Sequence, residues 1–435
     1  MHRLFRLDLA KPDDRNAWFL ILEMFWASML ASAATFNAAF ALRLGATNSQ
    51  VGLLTSIPAL MAVLVSLPAG RFLNAKARRK PWILGSLLLY RSVFLLVAFL
   101  PFIKLPETTL AALVIGLIVS FSSLAHFFNV GWIPLLSDVV PEGKRAAVFS
   151  ARNIIYNLSM SVCGFLFGLW LEKILFPINY QIMYAFGFIT SLLSLYFLLK
   201  VQVPDSIVKS RSQEPIKNTN SWDPHRFRQT WIEFKQVVST HNGFVRITID
   251  TLLHGIGIWM VGPLYILHYV RDLGATEAWL GLNGTILTMT TILGFAFWRW
   301  LMVRWGEPFT LKRTILWVGF YPILVGLLPS LPLILIATAI NGLMVPGVNL
   351  SHFNTLLKVT PEDNRPGYTA TYMTIANIGA FVCPLVGVAL ADNFGITATM
   401  IGCGILCILG STSFWIWPVR SVHKQSTNGL QQEGA

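Results

Sequence analysis

From Thr314 to Leu357 the chain runs without a single Asp, Glu, Lys or Arg. A membrane-crossing helix needs roughly 20 mostly apolar residues, so this run is too long for one crossing. Pro329 and Pro332 bracket Ser330, and a tight turn there divides it into two spans. The same ruler laid along the rest of the chain gives spans near 17–42, 51–70, 81–103, 108–136, 146–171 and 174–199. After a polar gap come 247–270, 278–298, 314–330, 332–357, 366–391 and 393–419. The expectation is an all-α integral membrane protein with twelve transmembrane helices, six on each side of the gap.

Composition excludes the soluble alternative. Only 12% of the 435 residues are charged, against roughly 25% in soluble domains, and the mean hydropathy is +0.61. The net charge of +13 sits in short loops between apolar spans, a pattern of membrane orientation rather than of nucleic-acid binding. With a cytoplasmic N-terminus, the inner face collects Arg3, Arg6, Lys11, Arg15, the stretch from Arg71 to Lys80, Lys144, Arg145, residues 200–246, Arg304, Lys312, Arg313, Lys358, Arg365, Arg420 and Lys424. The outer face keeps Arg43, Lys104, Lys173 and Arg271. Both termini are therefore expected inside. The first span is too long for the core of a cleavable signal. Cys163, Cys383, Cys403 and Cys407 all lie in apolar spans without metal-ligand spacing and read as packing residues. No phosphate-binding glycine loop is present, so there is no visible ATP motor, and no cofactor or metal is expected.

The two sets of six spans are copies. Leu44-Gly-Ala-Thr47 precedes an apolar span and a basic turn, and Leu273-Gly-Ala-Thr276 precedes another. Pro141-Glu-Gly-Lys-Arg145 follows the fourth span, as Pro361-Glu-Asp-Asn-Arg365 follows the tenth; sixteen residues past each proline stands an asparagine, Asn157 and Asn377. Domains are expected at 1–200 and 243–435, joined by a cytoplasmic linker over 201–242. The later part of that linker, with Phe227, Trp231 and Phe234 beside Arg228 and Lys235, suits either a surface amphipathic helix or a solvated tether. Six crossings is an even number, so both copies point the same way, and a solute site is expected at their seam near mid-bilayer.

These features resemble the major facilitator superfamily of secondary transporters over essentially the whole chain. The loop after the second span keeps Gly70, Arg78, Arg79 and Lys80 of the family signature, with Asn74 and Ala77 in place of its acid and second glycine. In the second copy Arg304 and Gly306 match, while Val303 replaces the acid. The resemblance assigns this loop to a cytoplasmic gate, with Arg145 and Arg152 nearby; Asp138 is a candidate replacement anion for Arg78, Arg79 or Arg152, or else a loop charge solvated by water. The fourth span lacks the arginine of proton-coupled drug exporters, and the fifth keeps Gly164-x-x-x-Gly168 without the proline–glycine run of antiporters. Gly379, Pro384 and Gly387 are reminiscent of that run but lie in the second copy.

Ionisable residues within spans are costly and are the first functional candidates. Glu23 is a candidate proton acceptor, alternatively a carboxylate paired with Arg152. Asp250 and His254 are one helical turn apart and could form a proton relay, unless Asp250 simply pairs with Arg246. Arg91 stands mid-span and needs a counter-ion, Glu23 or an anionic solute. The resemblance implies that the first, fourth, seventh and tenth spans line the cavity. Their polar and tryptophan residues are Glu23, Trp26 and Asn37, then His126, Asn129 and Trp132, then His254 and Trp259, then Asn341, Asn349 and His352. Each could equally be helix–helix glue.

The resulting expectation is a monomeric, non-enzymatic secondary transporter of the plasma or inner membrane. Its partners are a small-molecule solute and the lipid bilayer, and it moves the solute by alternating access, proton-coupled, with efflux slightly favoured over uptake. The rivals are a non-transporting receptor or assembly protein on the same scaffold, and a membrane enzyme acting on lipid-linked substrates.

Overall fold

The computed structural model describes residues 9–103, 105–213, 242–360 and 365–416. The first six spans are α1 (Pro12–Ala34) with the short α2 (Asn37–Arg43), α3 (Asn48–Asn74), α4 (Lys80–Phe99), α5 (Glu107–Val139), α6 (Glu142–Lys173) and α7 (Ile178–Lys200). A short α8 (Asp205–Gln213) opens the linker; the rest of it, with Phe227, Trp231 and Phe234, lies outside the described residues. The second six are α9 (Asn242–Leu267), α10 (Glu277–Trp305), α11 (Glu307–Leu327), α12 (Leu331–Val359), α13 (Arg365–Phe394) and α14 (Ile396–Ile416). Eleven stretches among the described residues are long and apolar enough to cross a membrane. The remaining expected span is α11, whose first two turns carry Glu307, Lys312 and Arg313.

The repeated Leu-Gly-Ala-Thr turns out to be a turn-and-cap device. Gly45 has φ 81° and Gly274 φ 63°, a left-handed backbone that glycine adopts without steric cost. The threonine that follows caps the next helix. Thr47 Oγ1 accepts from the Gln50 amide at 3.2 Å while Gln50 Oε1 accepts from the Thr47 amide at 2.9 Å, a reciprocal capping box. Thr276 Oγ1 accepts from the Trp279 amide at 3.3 Å. The helix leading toward each device is irregular: in one copy α1 ends at Thr35–Phe36 and the short α2 follows, and in the other the π turn His268–Asp272 comes directly before the device.

Contacts group the chain into two units, Met1–Thr219 with Ala275–Thr285, and Asn220–Gly274 with Ile286–Ala435. Within the first, α1 packs on α6 and α7, and α4 on α5 and α7. Within the second, α9 packs on α13 and α14, and α11 on α12 and α14. The two patterns correspond helix for helix, and even Asn157 and Asn377 make the same bond, each amide donating at 2.8 Å to the carbonyl four residues back. Both units keep an apolar core and also expose apolar surface that a soluble protein would bury. Large apolar side chains such as Leu67, Ile189 and Leu293 face outward, while Ser28, Ser56, Ser194, Thr314, Thr338 and Ser351 are wholly buried. A bilayer covers the former, and the small hydroxyls let helices approach and satisfy one another.

The basic residues near the turns serve the helix ends. Lys80 Nζ donates to the carbonyls of Leu199 and Val201 at 2.8 and 2.6 Å, and Arg145 donates to those of Val140 and Ser137 at 3.0 and 2.8 Å. They thus satisfy the C-terminal carbonyls of α7 and α5, where the helix dipole favours a cation.

Candidate solute cavity and a buried charge cluster

In the first unit Glu23 projects from α1 toward α4, α6 and α7 and is only 3% exposed. Its carboxylate meets Arg152 Nη2 at 3.0 Å and Arg91 Nη2 at 3.8 Å, and accepts from Ser194 Oγ at 3.1 Å. Arg91 also donates to the Ser191 carbonyl at 2.8 Å, and Arg152 to that of Leu20 at 2.9 Å. Both guanidinium groups are buried, so one carboxylate faces two cations far from bulk water. Trp132, a candidate cavity wall, lies with its ring 4.3 Å from the Arg152 guanidinium carbon and is stacked on Phe128. The arrangement is that of a counter-ion joining three helices.

The other candidates of this unit are dispersed. Trp26 is half-buried, edge-on to Phe25. Asn37 accepts from Tyr184 OH at 2.9 Å, His126 bonds the Pro58 carbonyl, and Asn129 is exposed. The expected pairing of Asp138 with Arg78, Arg79 or Arg152 is corrected: Asp138 accepts from Arg211 of α8 at 2.6 Å. Arg152 is already held by Glu23, and Arg79 donates to the Leu73 carbonyl. The start of the linker is thereby pinned to the end of α5. Gly70 lies within α3, whereas Gly306 breaks the chain between α10 and α11 with φ 82°, and Arg304 covers the Trp300 ring at 4.2 Å. One pair escaped the sequence reading altogether. Arg43 of α2 donates to both carboxylate oxygens of Glu277 at 2.8 and 2.9 Å, with Tyr180 OH at 3.3 Å. The signal available was a lone acid directly after the second capping threonine, Thr276.

The second unit contains a partly open cavity of about 420 Å³. On α9 the positions 251, 254, 258 and 265 recur at spacings of three, four and seven, and on α12 the positions 341, 345, 348 and 352 recur at four, three and four, so each helix presents one stripe. These stripes bring His254, Asn341 and His352 to the same space, with Trp259 and Asn349 beside them. The sequence reading missed the aromatic partners that complete the wall, Tyr265, Tyr321, Tyr372 and Phe414. Tyrosine and phenylalanine are frequent in apolar spans, so nothing in their local sequence marks them.

The cavity's polar groups are mostly engaged. His352 Nε2 lies 2.7 Å from Thr251 Oγ1 and 3.5 Å from Tyr372 OH. His254 Nδ1 meets Ser411 Oγ at 2.8 Å and Cys407 Sγ at 3.3 Å. Asp250 is not its hydrogen-bond partner; it lies 4.0 Å from Arg246, one turn back on α9. Asn341 differs from the rest. It is only 9% exposed, and its Oδ1 has no hydrogen-bond partner among the described residues. The wall around Trp259 is tightly fitted, because a Cβ on Gly379 of α13 would collide with its ring. Such a space can hold a drug-sized molecule, stack its rings and offer a few hydrogen bonds.

The sequence profile of the Major Facilitator Superfamily matches residues 18–246 and again 247–433. Multidrug resistance protein MdtG of Yersinia enterocolitica is 28% identical over 154 residues, covering 34% of this chain and 36% of that protein. MdtG of Escherichia fergusonii is 29% identical over the same length, covering 34% and 37%. The chain thus aligns with little more than a third of these relatives. Among solved structures, the nucleoside transporter NupG superposes with a TM-score of 0.66 at 12% identity, covering 92% of this chain and 98% of that one. A peptide transporter POT structure also gives 0.66, at 14% identity, covering 93% and 94%. With nearly its whole length matched by two consecutive copies of the same profile and its fold shared with these structures, the chain belongs to the major facilitator superfamily.

Proposed function

We propose that the protein is a secondary transporter that carries a small organic solute across the membrane by alternating access, outward rather than inward. The observation that carries this reading is the aromatic cavity of about 420 Å³ inside a membrane-embedded helix bundle of this superfamily. The multidrug resistance proteins among its relatives support export. The protein works as a monomer in the inner membrane, and the lysine and arginine bias of its loops supports a cytoplasmic position for both termini.

Protons drive the transport. Asp250 is the better-placed carboxylate, buried with Oδ2 lacking a hydrogen bond, on the helix that also carries His254. Glu23 serves instead as the anchor of two arginines.

Cells expressing the protein should tolerate at least one compound of an antimicrobial panel several-fold better than cells expressing Trp259→Ala at equal membrane abundance. No difference on any compound would remove the support for export. In proteoliposomes, flux that ignores an imposed pH gradient would rule out the proton-driven version.

A further inference from the structure

Resting on the transport reading above, we infer that the cavity of the second unit selects an uncharged solute carrying a planar ring and one hydrogen-bond donor. Two observations converge on this. The first is the lining. Trp259, Tyr265, Tyr372 and Phe414 supply ring faces and edges, and among the described residues none that lines the cavity is Asp, Glu, Lys or Arg. A charged solute entering such a space leaves its hydration behind and meets no counter-charge, which is costly. The two imidazoles are each held by a hydroxyl, His254 by Ser411 and His352 by Thr251.

The second observation is Asn341. Asn341 lines the cavity and its Oδ1 is buried without a hydrogen-bond partner among the described residues, while two neighbouring hydroxyls are already engaged: Thr251 donates to the Ile247 carbonyl or the His352 ring, and Tyr321 pairs with Thr338. Buried acceptors are normally paired, and an unpaired one is unfavourable until a donor arrives. A solute hydroxyl or N–H supplies that donor, and a solute lacking it leaves the cost in place. The site therefore discriminates by the missing hydrogen bond as much as by ring contact. Gly379 contributes by leaving room for Trp259, the ring that forms one wall.

The test uses the full chain purified in nanodiscs and four biphenyl probes that differ in one group. They are 4-phenylphenol, 4-methoxybiphenyl, biphenyl-4-carboxylate and the biphenyl-4-methylammonium ion, followed by tryptophan fluorescence with empty nanodiscs as the partition control. The phenol should bind about tenfold more tightly than the methoxy compound, and both ions more weakly still. Asn341→Leu should bring the phenol down to the affinity of the methoxy compound while leaving the methoxy compound unchanged. Equal or tighter binding of either ion, or an Asn341→Leu variant that keeps the phenol preference, overturns the inference. Flux of the same probes separates this from the transport reading. Selective binding without flux leaves the inference standing and removes transport; flux of the ions with no preference for the phenol removes the inference and leaves transport.

Discussion

Replacing Glu23 by glutamine removes one charge and almost no volume. The Ser194 contact can persist, since the amide retains an oxygen acceptor for that hydroxyl. What disappears is the attraction to Arg152 at 3.0 Å and Arg91 at 3.8 Å. At an effective dielectric constant of about 20 these are worth roughly 5 and 4 kcal/mol before desolvation is counted. The arginines are already dehydrated in the folded protein, at 3% and 6% exposure, so the folded state loses the attraction without regaining water. Breaking a buried pair by removing one partner costs roughly 3–5 kcal/mol, and with two cations orphaned the upper part of that range applies. Unfolding by SDS titration in mixed micelles should show Glu23→Gln destabilised by about 4 kcal/mol. Adding Arg152→Met should restore part of the loss, with a coupling energy of at least about 2 kcal/mol. A Glu23→Gln protein within about 0.5 kcal/mol of wild type, with no coupling to Arg152, would refute the counter-ion reasoning. It would return Glu23 to the role of proton acceptor, for which a stable but uncoupled variant is the expected signature.

Two further outcomes follow from the same geometry. Gly379→Ala drives a methyl group into the unshifted Trp259 ring, and overpacking of this kind costs roughly 1–3 kcal/mol. Tryptophan emission should shift and 4-phenylphenol affinity fall, and an unchanged spectrum would mean the ring does not lie against α13. Thr47→Ala removes one arm of the capping box and should lower stability by about 1 kcal/mol, whereas Asn48→Ala beside it should have a smaller effect; equal losses would deny the cap its role.

The expected seam location and the domain boundaries came from counting crossings, and the cavity described here is built from second-unit residues alone. The repeat of Leu-Gly-Ala-Thr marked the internal duplication as text. That it works through a left-handed glycine and a capping threonine became visible only with backbone angles and hydrogen bonds.

Segment length and apolarity by themselves determined eleven of the twelve expected spans, because the bilayer imposes its thickness on any helix that crosses it. That Asp250 and His254 share a helix face was equally legible, since side chains four apart lie on one side of a helix. Partner choice was not. Asp138 faced several nearby arginines on paper, and the folded chain gave it Arg211, which no local rule singles out. Glu23, Arg91 and Arg152 lie on three different helices, and Arg43 and Glu277 are separated by more than two hundred residues. Which charges neutralise one another, and which rings close around a cavity, depend on how helices rotate and pack. That rotation is set by contacts summed over whole faces, and only the tertiary structure performs the sum.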